Sequence, residues 1–259
     1  MNLPKRKKME KYKEYPISGN EIKKRTIISF VIFFIFLGSM VFIWKWLHKQ
    51  PDDHGALQPF RSALNANEAF FSNFLSGDHL AKTFPKSAAV HHPRVNGEDG
   101  MSADFDTAAW KLHLVRKPGD TLMITLADIK ALPKTEIIFD FKCIEGWSQV
   151  THWGGVKFSD FVDKYGLTSQ AKMKYAGLIT PDSGYYVGID MPSMMHPQTM
   201  LCYEVNGKPL PLNQGYPLRL IIPVKYGIKN LKRIGNITFS NERPPDYWYE
   251  RGYDYYSGL

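Results

Sequence analysis

Residues 26–44, TIISFVIFFIFLGSMVFIW, carry no charged side chain. At about 1.5 Å of helical rise per residue such a run spans about 28 Å, close to a bilayer's hydrocarbon core, and it predicts one transmembrane helix over 26–46. Pro51, Gly55, Pro59 and Pro85 break the pattern that follows, predicting a stalk over 47–85 with a short helix around 67–75. Beyond it, short apolar runs alternate with Gly, Pro and Asn turns. They predict strands over 110–116, 122–125, 136–143, 174–180, 200–205, 218–224 and 234–240. Asn206-Gly207 predicts a hairpin turn. Helices fit 126–131, where Thr125 and Asp128 have capping spacing ahead of Pro133, and 158–165.

Few helices, no regular alternation of strand and helix and no G-x-G-x-x-G argue against a dinucleotide-binding fold, and metalloprotease and phosphate-loop motifs are absent too. The expected fold class is α+β, a strand-dominated mixed domain over 86–259. With 44% hydrophobic and 14% aromatic residues, the chain has ample material for a core.

Charge changes the picture at the N-terminus. Of the net +8, most lies in residues 1–25, where nine Lys and Arg face three Glu. The rest is nearly neutral, which excludes a nucleic-acid partner and leaves the basic tail as the cytoplasmic flank of the apolar helix. The domain is then expected on the exported, periplasmic side of the cell inner membrane, with the lipid bilayer holding the helix. A cleaved signal peptide is the rival reading, but Trp44, Lys45 and Trp46 replace the small residues that cleavage needs. Lys24-Arg25-Thr26-Ile27-Ile28 resembles a Lys-Arg variant of the twin-arginine export signal, and it equally fits the cytoplasmic end of any helix.

Cys143 and Cys202 are the two cysteines of the chain. They are too few for a four-cysteine cluster, and there is no C-x-x-C-H haem site. His91-His92 is not expected to bind zinc, because adjacent side chains rarely converge on one ion. The informative stretch is Phe141-Lys142-Cys143-Ile144-Glu145-Gly146-Trp147-Ser148, a strand ending in a lone cysteine and a glycine turn. Taken alone, such a cysteine reads as an inert core residue. Further motifs follow in order: Trp153-Gly154-Gly155, Met195-His196-Pro197, Val205-Asn206-Gly207-Lys208-Pro209-Leu210-Pro211, Pro217-Leu218-Arg219-Leu220-Ile221-Ile222-Pro223, Lys225-Tyr226-Gly227-Ile228-Lys229 and Glu242-Arg243-Pro244-Pro245.

From about residue 94 to the C-terminus, this succession resembles the sulfite-oxidase superfamily, especially the branch of the periplasmic methionine sulfoxide reductases. The resemblance implies a molybdenum-molybdopterin cofactor, with Cys143 as the soft thiolate on the metal. It also implies that Thr180, Gln214, Arg219, Asn230, Leu231 and Lys232 bind the pterin and its phosphate, where Arg219 offers a bidentate fork and Lys232 a point charge. Gln214 departs from the family's asparagine. Arg94 and Asn96, in His91-His92-Pro93-Arg94-Val95-Asn96-Gly97, are the candidates for an upstream pterin-gripping loop, and a polar turn explains them equally well. Glu145 and Trp147 are the candidates for lining the metal pocket, with simple packing as the alternative. Cys202 reads as core, and the aromatic tail around Tyr247, Trp248 and Tyr253 as packing against the domain.

The reading implied is a molybdopterin-dependent oxidoreductase that transfers an oxygen atom. Sulfite oxidases carry a basic stretch after the cysteine, whereas Ile144, Glu145 and Trp147 stand here, so a neutral S-oxide or N-oxide is expected over sulfite. With no haem or cluster of its own, the chain needs an external electron carrier, for which a membrane or exported cytochrome would serve. A monomer is expected, since the chain ends soon after the cofactor domain. The reading from another class is a cofactor-free membrane-anchored binding module with the same fold.

Overall fold

The structure, a computed structural model, describes residues 18–74 and 79–259, so much of the basic tail read over 1–25 lies outside the described residues. The chain divides into a short N-terminal unit ending at Gln50 and a large unit, Pro51–Leu259. The described residues of the first form a single helix, α1 (Gly19–Leu47), long and apolar enough to cross a membrane by length and composition. It begins ahead of the apolar run because Ser18 caps it, its hydroxyl accepting from the Glu21 amide at 3.3 Å.

The second unit opens with a hairpin of β1 (Asp52–Asp53) and β2 (Ala56–Leu57), followed by α2 (Gln58–Phe71). This helix lies earlier than the one expected at 67–75. Pro59 starts it, having no amide hydrogen to leave unsatisfied in the first turn. Arg61 then fixes it, its buried guanidinium donating to the carbonyls of Asp53, His54, Tyr249 and Tyr253. Much of the stretch read as a stalk is therefore folded against the C-terminal residues.

In chain order there follow β3 (Leu112–Lys117), β4 (Asp120–Ile124), α3 (Leu126–Lys130), β5 (Thr135–Lys142), β6 (Ser148–Lys157), α4 (Phe158–Lys164), β7 (Tyr175–Ile179) and β8 (Tyr186–Asp190). Then come α5 (Met191–Met194), β9 (Met200–Val205), β10 (Lys208–Pro209), β11 (Arg219–Ile221) and β12 (Asn236–Ser240). One five-stranded sheet runs β10-β9-β6-β5 with β11 also on β9, and the other runs β4-β3-β12-β7-β8. The α+β, strand-dominated architecture expected from the hydrophobic pattern is the one observed. Thr125 and Asp128 form the capping box of α3, and Asn206 and Gly207 take the positive φ of a hairpin turn between β9 and β10.

Strand β9 is buried on both faces. Leu201 and Tyr203 enter a large core shared with Leu114, Phe161 and Leu178, while Met200 and Cys202 point the other way into a smaller cluster with Phe139, Trp153 and Ile221. Cys202 is thus core, and both cysteines are free thiols.

Candidate active site

The hairpin of β5 and β6 delivers the lone cysteine to the edge of that smaller cluster. Beyond Lys142 the chain turns back: the Gly146 amide donates to the Cys143 carbonyl at 3.1 Å and the Cys143 amide to the Trp147 carbonyl at 2.9 Å. Gly146 sits at φ +88°, a conformation open to glycine at little steric cost. The tight turn holds the Cys143 thiol in a cleft, 6% exposed, with Asn96 Nδ2 3.6 Å from Sγ. Burial pushes the thiol's pKa up, while the amide of Asn96 and the charge of Arg94 act against that rise. Glu145 and Trp147 are the lip of the turn. The indole Nε1 donates to the Glu145 carboxylate at 2.9 Å, which holds that carboxyl below its usual range and keeps it ionised.

Two cations face the same cleft. Arg219, opposite Cys202 in the register of β11 and β9, is buried with its guanidinium 4.3 Å over the Trp153 ring. Its Nη1 donates to Gln214 Oε1 at 2.9 Å, and Nε is buried with no hydrogen-bond partner. Lys232 Nζ donates to the carbonyls of Asn96 at 2.5 Å and Gly97 at 2.9 Å. Burial lowers Arg219 to about 10 and Lys232 to about 8. Among the described residues neither cation makes an ion pair, so both enter the cleft with no carboxylate in direct contact.

Residues 90–97 cross the mouth of the cleft without regular secondary structure and are pinned by side chains from the body. Asn206 Nδ2 donates to the Val90 and His91 carbonyls, Gln214 Nε2 to the Pro93 carbonyl, and the Arg94 amide donates to Gln149 Oε1. The Arg94 guanidinium lies 4.8 Å from the Trp147 ring. Gln214 therefore joins this segment to Arg219, so the longer side chain has a geometric use here.

Of the residues singled out in the sequence, Arg94, Asn96, Cys143, Glu145, Trp147, Gln214, Arg219, Asn230 and Lys232 line one cleft of about 910 Å³ including its open mouth. Thr180 and Leu231 do not. The Thr180 hydroxyl donates to Asp182 at 2.7 Å in a loop outside the lining, and the Leu231 side chain is fully buried in the large core. Asn230 lines the cleft, but its amide group is spent locally, accepting from the Ile222 amide and donating to the Tyr226 carbonyl. Trp153, Tyr185, Trp248 and Tyr253 complete the walls. Trp153 stood in a quoted motif. Trp248 and Tyr253 were read as packing, because an aromatic tail gives no sign of which rings will face a cavity.

A soft thiol, a buried guanidinium with an unused donor and a second cation with no ion-pair partner in one cleft fit a group that is anionic at one end and carries a soft-ligand metal at the other. Fold and site together define a pterin-type molybdenum oxidoreductase. The chain belongs to the oxidoreductase molybdopterin binding domain family, whose model matches residues 99–248, and that membership implies a molybdenum cofactor. Over 196 residues it is 33% identical to the putative protein-methionine-sulfoxide reductase subunit YedZ1 of Azospira oryzae, covering 73% of each chain. It is 32% identical over 162 residues to the protein-methionine-sulfoxide reductase catalytic subunit MsrP of Campylobacter jejuni, covering 57% of this chain and 54% of that protein. It therefore spans about half the length of that second relative. Among solved structures, the sulfane dehydrogenase SoxCD of Paracoccus pantotrophus aligns at a TM-score of 0.48 and 20% identity, over 64% of this chain and 46% of that one.

Proposed function

We propose that the enzyme removes an oxygen atom from a neutral sulfoxide, with methionine sulfoxide as the candidate substrate, and that α1 anchors it in the cell inner membrane with the cleft on the periplasmic side. The observation that carries the reading is the convergence of Cys143, Arg219 and Lys232 on one cleft. Cys143 would hold the metal through Sγ, and Arg219 and Lys232 would hold the pterin phosphate. When bound, the group supplies two-electron redox chemistry and an open coordination position for oxygen. The overall conversion takes a sulfoxide, two electrons and two protons to a sulfide and water, so an external electron carrier is required.

The chain's own residues set the substrate. Beside the thiol, the ionised Glu145 and the cation Arg94 offset one another, and Trp147 and Ile144 add apolar surface. A dianion gains little from such a lip, whereas a neutral, polarisable S-oxide loses little hydration on entering it. Relatives whose names carry protein-methionine-sulfoxide reductase support the same class. Steady-state turnover of the molybdenum-loaded chain tests the reading: methionine sulfoxide with a reduced dye should turn over, and sulfite with an oxidising dye should not. Saturable sulfite turnover without sulfoxide reduction would overturn it.

A further inference from the structure

Helix α2 is charged on the wrong side for a helix that meets only water. Its charged residues, Arg61 and Glu68, both face the body: Arg61 is buried on four backbone carbonyls, and Glu68 pairs with Arg243 at 2.5 Å. With Leu64 between them they form the inward stripe at helical spacing. The flanking stripe, about a quarter-turn round the helix, runs Phe60, Ala63, Asn67 and Phe71, with Phe60 53% and Phe71 59% exposed. The outward face bears no charge. Because two charged side chains lock the helix's rotation, these aromatic rings cannot turn inward without breaking buried polar contacts.

We propose that this face of α2 lies in the interfacial layer of the lipid bilayer, as a second membrane contact beside α1. The inference rests on the anchor reading above. Tether length selects lipid as the occupant. The folded unit begins at Pro51 and α1 ends at Leu47, so the connecting residues 48–50 reach no more than about 11 Å when extended. The first helix of the folded unit is thereby kept near the bilayer surface. An uncharged face with aromatic side chains suits the headgroup boundary, where rings partition favourably and charges do not. The contact would also orient the cleft, because Arg61 bonds to the Tyr253 carbonyl and Tyr253 lines the cleft wall.

The test uses the full chain in vesicles of phosphatidylethanolamine and phosphatidylglycerol, with p-benzoylphenylalanine placed singly at Phe60, Phe71, Ser39 in α1, and Met123. Met123 is an exposed residue of β4, at the sheet edge opposite β8. Lipid adducts after irradiation are counted by mass spectrometry. Adducts from positions 60 and 71 about tenfold above position 123 are expected. Adducts from position 39 with only background from 60 and 71 would overturn the docking and leave the anchor standing, as would adducts from 60 and 71 to a second copy of the chain. Adducts from 60 and 71 without any from 39 would keep the docking and remove the anchor. Background at all three positions would remove both.

Discussion

Arg219 has a free buried donor and no carboxylate to neutralise it, an arrangement that costs stability unless an anion completes it. Arg219→Ala should therefore weaken cofactor retention by about tenfold to a hundredfold, the worth of a charge-assisted hydrogen bond, while the fold survives. Molybdenum per chain measured beside the thermal unfolding midpoint separates the two effects. Unchanged occupancy would place the phosphate elsewhere. Lys232 gives a pH signature. Its folded pKa is near 8 against the usual 10.5, so between those values the unfolded chain holds a proton that the folded, ligand-free chain has lost. Lys232 thus disfavours the ligand-free fold below about 8, and its contribution becomes less adverse as pH rises through that window. An anion in the cleft restores the proton, so anion affinity should be highest below about 8 and fall above it. Binding of inorganic pyrophosphate across this range would show the decline, and Lys232→Met should flatten it.

Among the elements, β6 shows how a strand can hide from its own sequence. No strand was expected around Gly154 and Gly155, yet they lie within a ten-residue strand where the register against β9 shifts. A side chain on Gly155 would meet the Leu201 carbonyl oxygen at 2.2 Å, so the glycine permits close approach of two backbones. Gly155→Ala should cost about 3 kcal/mol or more, as overpacking against rigid backbone does, and should lower the urea midpoint of unfolding. A midpoint unchanged from wild type would show that the bulge relaxes freely. Strand β8 was missed in a similar way: its central Gly188 makes room for the Tyr255 hydroxyl. By contrast α3, α4 and β9 lie close to their expected positions, because capping spacing and strong periodicity are local signals.

For the whole molecule, the testable consequence is topology. A basic flank, an apolar helix and a nearly neutral body predict an N-terminus in the cytoplasm and a cleft in the periplasm. Reporter fusions after Trp46 should be active only for an exported reporter, and N-terminal sequencing should find the chain uncleaved. A mature chain beginning beyond residue 50 would mean that the helix is a removed signal.

What the sequence determined by itself was whatever depends on neighbours along the chain or on a specific succession of motifs. That includes the apolar helix, most of the strands, the cap of α3, the Asn206-Gly207 turn, and the family from Cys143 to Pro245. The gathering of Arg94, Asn96, Cys143, Gln214, Arg219 and Lys232 into one cleft was visible only in the fold, because these residues come from segments far apart in sequence. Tertiary structure also turned Leu231 into the core and gave Trp248 and Tyr253 to the cleft wall. It folded the expected stalk onto the C-terminus through Arg61, whose partners are carbonyls nearly two hundred residues away as well as nearby ones. Backbone carbonyls carry no sequence signature, so a contact made through them can be found only once the chain is folded.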